Sequence, residues 1–64
     1  MTNAEIKQYL NKTVYFRGVP YILKGATIRK NNGSYEYDAE LQDVNAHRSL
    51  LITRLEVVDA KLEE

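Results

Sequence analysis

The stretch Ala26-Thr27-Ile28-Arg29-Lys30-Asn31-Asn32-Gly33-Ser34-Tyr35-Glu36-Tyr37-Asp38-Ala39 decides the fold. Asn-Gly between two alternating runs is the strongest short-range hairpin signal, because a type I′ turn needs positive φ at both central residues. With Asn32-Gly33 as a two-residue loop, Asn31 faces Ser34, Arg29 faces Glu36, Thr27 faces Asp38 and Gly25 faces Glu40 on one side. On the other side Lys30 faces Tyr35, Ile28 faces Tyr37 and Ala26 faces Ala39. One face is charged and the other apolar, so a one-residue slip would destroy the pattern. The register places Lys24 opposite Leu41, pointing inward. A bulge at Gly25 removes that conflict and turns Leu23 inward.

The rest of the chain is read outward from this hairpin. Upstream, Val14 and Phe16 alternate with Tyr15 and Arg17, giving a strand with Val14 and Phe16 inward. Gly18-Val19-Pro20 is expected to break it, since proline cannot donate to a ladder. Residues 2–10 read as a short helix, with Ile6, Tyr9 and Leu10 as its apolar stripe. Thr2-Asn3-Ala4-Glu5 fits a capping box. Downstream, residues 49–53 read as a fourth strand with Leu50 and Ile52 inward and Leu51 outward. Leu55 and Val58, three residues apart, suggest a 3₁₀ turn before a last short strand near Val57-Val58. The predicted core is Ile6, Leu10, Val14, Phe16, Leu23, Ile28, Tyr37, Leu41, Ile52, Leu55 and Val58.

At 64 residues there is room for a single domain, 1–64, with the helix at about 2–11, β-structure at about 13–58 and an acidic tail at 60–64. Hydrophobic residues at 44% and charged residues at 28% exclude a disordered or collagen-like chain. The longest apolar run, Val19-Pro20-Tyr21-Ile22-Leu23, falls far short of the roughly 20 residues a membrane span needs. No apolar segment of signal-peptide type follows Lys7, and there is no cysteine. The expected setting is cytoplasmic, with no membrane partner.

A short helix followed by four or five antiparallel strands, with a tight Asn-Gly turn at the centre, resembles a small SH3-like barrel. The spacing Val14-x-Phe16-x-Gly18-x-x-Tyr21-x-Leu23-x-Gly25, then Tyr37-x-Ala39-x-Leu41-x-Asp43, also resembles short uncharacterised proteins of Gram-positive phages and conjugative elements. That resemblance implies a mobile-element context and no particular chemistry. The aromatic residues with which eukaryotic SH3 domains bind proline motifs are missing.

Catalysis finds little to work with. His47, the one histidine, stands near Asp43 and Ser49, but three residues on one loop do not make a triad with an oxyanion hole. Glu36, Asp38 and Glu40 alternate along one strand, and Arg29 and Thr27 opposite two of them account for the row without a cation. Gly18, Gly25 and Gly33 do not have phosphate-loop spacing. We therefore expect no enzyme, no metal, no cofactor and no small-molecule substrate.

Binding is the remaining class. Nine basic and nine acidic side chains cancel, although residues 12–54 hold seven basic against four acidic. The candidate interaction surface is Tyr15, Arg17, Arg29, Lys30, Arg48, Leu51 and Arg54. A protein partner or self-association is favoured, because acids interleave with bases. The alternative is a weak nucleic-acid-binding small barrel, with Tyr35 as a further stacking group.

Overall fold

The computed structural model describes residues 1–46 and 49–61. Among them, five antiparallel strands form one sheet: β1 (Thr13–Phe16), β2 (Val19–Asn31), β3 (Ser34–Asp43), β4 (Leu50–Arg54) and β5 (Val58–Asp59). Their order across the sheet is β4-β3-β2-β1-β5. No ladder joins β4 to β5 among the described residues, so the sheet is not closed into a barrel.

The central hairpin has the expected register throughout, from Asn31 opposite Ser34 to Gly25 opposite Glu40. Asn32 and Gly33 take φ of 51° and 82°, the positive values a type I′ turn requires. The ladder shifts between Leu23 and Gly25, leaving Lys24 unpaired and exposed. Leu23 then faces Leu41, and both are fully buried. A Cβ on Gly25 would lie 3.1 Å from Glu40 Oε2, so the missing side chain is what lets Glu40 fold across β2.

The first hairpin differs from expectation. Gly18-Val19-Pro20 does not end the β-structure. Arg17 and Gly18, at φ 52° and 76°, form a second tight turn, and Val19 and Pro20 already pair with Phe16 and Tyr15. Phe16 and Val19 flank the turn as a hydrogen-bonded pair, so the neighbouring Tyr15–Pro20 pair is a non-hydrogen-bonded one. Proline's missing N–H therefore costs β1 nothing, and β3 begins pairing only at Tyr21.

The helix is shorter than predicted. A 3₁₀ turn (Asn3–Glu5) runs into α1 (Ile6–Tyr9), and Leu10 leaves helical geometry at ψ 130°. Asn11, at φ 63°, then donates its N–H to the Leu23 carbonyl at 2.7 Å. That bond turns the chain onto β2 and takes Leu10 out of the stripe. At the N-terminal end the expected capping box is present, with Thr2 as N-cap and Glu5 three residues on. The Glu5 carboxylate accepts from the Thr2 N–H (2.9 Å) and hydroxyl (3.2 Å), while the Glu5 amide donates to the Thr2 carbonyl (3.1 Å).

The buried core is Val14, Leu23, Ala39, Leu41, Leu55 and Val58. Ile6, Tyr9, Phe16, Tyr21, Tyr37 and Leu51 pack around it. Leu55 sits on the predicted 3₁₀ turn, observed at Leu55–Val57. Three predicted core residues neither belong to it nor pack against it: Leu10, Ile28 (60% exposed) and Ile52 (63% exposed). Ile28 lies on the core side of the hairpin, opposite Tyr37, but outside the buried cluster. Ile52 lies on the wrong face, because Leu41 pairs with Leu51 and so turns Leu51 inward and Leu50 and Ile52 outward.

Two outcomes follow. Leu23→Ala or Leu41→Ala should cost about 2–5 kcal/mol, whereas Ile28→Ala and Ile52→Ala should each fall within about 0.5–1 kcal/mol of wild type. Urea denaturation checks this, and equal losses at all four positions would refute the assignment of faces. Second, the Glu5 carboxyl is held below its ordinary value of 4.5, chiefly by the Thr2 N–H and then by the Thr2 hydroxyl. A folded-state pKa below the unfolded one means that the contact contributes stability above the unfolded value and loses it as pH falls through the folded value. The thermal midpoint of wild type should therefore exceed that of Glu5→Gln near neutrality, and the gap should close well below pH 4.5. A gap independent of pH would show that the charge plays no part.

Candidate functional site: the β4 edge and the face beside it

Away from the core, β2, β3 and β4 present Thr27, Arg29, Glu36, Asp38, Glu40, Leu50, Ile52 and Arg54 on one face. Its charges are tied together. Arg29 grips Asp38 with two nitrogens, Nε to Oδ2 at 2.9 Å and NH2 to Oδ1 at 3.3 Å. Such a two-point contact is the strong geometry for a guanidinium and a carboxylate. Glu36 lies between two guanidiniums, Arg29 at 3.7 Å and Arg54 at 3.6 Å. Arg54 also reaches Glu56 at 3.1 Å, and Thr27 donates to Glu40 at 3.0 Å. Arg29–Asp38, Arg54–Glu36 and Thr27–Glu40 are diagonal neighbours, one step along the ladder, whereas Arg29–Glu36 lies straight across. Asp38 is buried.

The predicted interaction surface does not come together. Arg29 and Arg54 share this face but are engaged by Glu36, Asp38 and Glu56. Lys30 projects from the opposite side, near the Asn32-Gly33 turn. Arg17 stands at the other end of β2, its guanidinium 5.1 Å from the Phe16 ring centre. Tyr15 is half-buried between Pro20 and Asp59. Leu51, expected to point outward, packs against the core. Arg48 and His47 lie outside the described residues. Asp43 is occupied locally, its Oδ1 accepting the Asn45 N–H at 2.7 Å.

An exposed strand edge that accepts a further strand is expected of so small a barrel; what the sequence reading does not identify is that β4 provides it. β4 pairs with β3 alone among the described residues. Asp43 N–H donates to the Ser49 carbonyl at 3.2 Å, which marks this as a hydrogen-bonded pair. Antiparallel ladders alternate, so Leu41–Leu51 and Ala39–Thr53 are the next hydrogen-bonded pairs. The peptide groups of Leu50, Ile52 and Arg54 therefore point away from β3. Beside them Leu50 and Ile52 expose 62% and 63% of their surface. No proline, lysine or bulge protects this edge, the usual devices against strand pairing. The opposite edge differs: β5 has two residues, one of them acidic.

An open hollow of about 360 Å³ lies between Phe16, Arg17, Thr53, Arg54, Val57 and Asp59. It offers two guanidiniums, one hydroxyl and one carboxylate, with no histidine or cysteine. Among the described residues no group of three or more potential metal ligands gathers, and no buried side-chain polar atom lacks a partner. No helix among them is long and apolar enough to cross a membrane. Compared with known protein families, curated proteins and solved structures, the chain matches none.

Because Glu36, Asp38 and Glu40 already have donors, titration with calcium, magnesium or zinc should give no saturable heat tighter than on the order of 10 μM. Tighter binding, lost in Asp38→Asn, would show that a cation displaces Arg29.

Proposed function

We propose that this chain is a non-catalytic protein-interaction module, an adaptor that takes up an extended partner strand along β4. The observation that carries the reading is the five-residue edge with outward peptide groups at Leu50, Ile52 and Arg54 and two exposed apolar side chains beside them. Strand addition draws affinity from main-chain hydrogen bonds and specificity from alternate side chains. The strand order, with a 3₁₀ turn between β4 and β5, supports reading the sheet as a small SH3-like barrel left open at that seam. In that reading the seam leaves β4 free for a partner. The module acts in the cytoplasm, in the mobile-element context its sequence spacing suggests.

Net charge supports a protein partner over nucleic acid. Arg29 and Arg54 would have to leave Asp38, Glu36 and Glu56 before they could neutralise phosphates. The test is selection from a displayed library of random short peptides, followed by amide chemical-shift mapping. Selected peptides should alternate apolar and polar residues and shift the amides of Leu50, Ile52 and Arg54. Ile52→Pro should abolish binding without unfolding the sheet, because the N–H it removes points away from β3. Selected peptides that leave β4 unshifted would overturn the reading. So would oligonucleotides that shift Arg17, Arg29, Lys30 and Arg54 at low salt and lose the effect as salt rises, which would put nucleic acid in place of protein.

A further inference from the structure

We infer that the strand taken up by β4 is the β4 of a second copy, paired antiparallel about a two-fold axis through Ile52. The inference rests on the strand-addition reading and names its partner. A homodimer interface of this kind must be self-complementary, with each position meeting its counterpart under the two-fold. The free edge of β4 meets that condition in one register particularly well. Its outward peptide groups fall at positions 50, 52 and 54. Centring on Ile52 sets Ile52 against Ile52 of the second copy and Leu50 against Arg54 at both ends. All three outward positions then find outward partners, each pair exchanging two hydrogen bonds.

The side chains agree with that register. On the outer face the exposed Ile52 pair meets at the centre, and Leu50 lies along the aliphatic stem of the partner's Arg54. Each Arg54 stays beside its own Glu36 and Glu56. Registers shifted toward the C-terminal end of β4 bring the two Arg54 guanidiniums together, which like charges resist. Registers shifted the other way leave the Arg54 peptide groups unpaired. The chain's zero net charge puts no long-range repulsion between copies. A pair of five-residue strands buries less than a standard interface, so the dimer belongs to the weak, concentration-dependent class.

The experiment is sedimentation equilibrium of the full chain from about 10 μM to about 1 mM, a span that covers weak association. It is paired with isotope-filtered NMR on a mixture of labelled and unlabelled protein. Wild type should dimerise as concentration rises. In this register Leu51 and Thr53 of opposite copies form the non-hydrogen-bonded pairs, so an intermolecular Hα–Hα contact between them is expected. Ile52→Lys and Ile52→Pro should each weaken the dimer at least about tenfold, the first by placing two ammonium groups face to face and the second by removing the central donors. Because Ile52 is exposed, both variants should keep the wild-type fold, and a failure of one leaves the other to decide. A wild type that stays monomeric at the highest concentration, or a dimer that both variants retain, would overturn the inference. If the monomeric wild type still binds selected peptides along β4, the second copy is excluded and strand addition stands. If β4 responds to neither, both readings fall.

Discussion

Leu23 and Leu41 meet at zero exposure because Lys24 is left out of the ladder between β2 and β3. Side chains alternate strictly along a strand, so one extra residue exchanges the faces of everything beyond it. Without the bulge, either Leu23 or the hairpin's Ala26 and Ile28 would face outward. With it, a single 13-residue strand serves two partners: its first part pairs with β1 and its second with β3. The same segment anchors the helix, since Asn11 and Lys12 exchange hydrogen bonds with the Leu23 backbone. The bulge thus fixes the core, the bend of β2 and the approach of the N-terminal segment together.

This constraint was legible in the sequence because three signals agreed. Asn32-Gly33 set the turn, alternation set the register, and a lysine opposite Leu41 flagged the one residue that did not fit. Where signals were single, the reading went astray. Leu50-Leu51-Ile52 is apolar at every position, so its alternation carries no information about which face is inward. The pairing of Leu41 with Leu51 decides it, and that is a long-range fact. Leu10 fits a helical stripe by spacing, but the Asn11 hydrogen bond to Leu23 ends the helix first. Pro20 looked like a strand breaker, yet it falls on the alternate position whose N–H the β1 ladder does not use. The basic residues of the candidate surface were readable as a set. Their dispersal over two faces and two ends of β2 was not, since composition does not record direction.

Electrostatics shows the same dependence on register. Glu36, Asp38 and Glu40 project from one face of β3, and each finds a donor on β2 or β4 because those strands are in step with it. The pairs are partly exposed, so each adds little stability alone. Their larger effect is on availability. Two arginines that look free in the sequence are held by carboxylates, and the charged part of the face closes on itself. What it leaves uncommitted is the apolar margin at Leu50 and Ile52.

Among the described residues, the elements outside the sheet pack on one of its sides. The helix, the 3₁₀ turn and β5 suffice for one side, where Val14, Leu23, Ala39, Leu41, Leu55 and Val58 are enclosed. Among the described residues the other side carries its own salt bridges, and those end at Arg54. Beyond them, the outer edge of β4 has among the described residues neither a second neighbouring strand nor a charged fringe along its middle. Natural sheets commonly guard such an edge, because unpaired peptide groups beside apolar side chains invite another strand. Guarding this one would take a single substitution, a lysine or proline at position 52, where no core contact would be lost. The isoleucine found there instead agrees with the proposed pairing. The small core and the open edge are in this sense one property: under the proposed strand addition, the sheet that the described helix and turns cover on one side would be completed by a second copy.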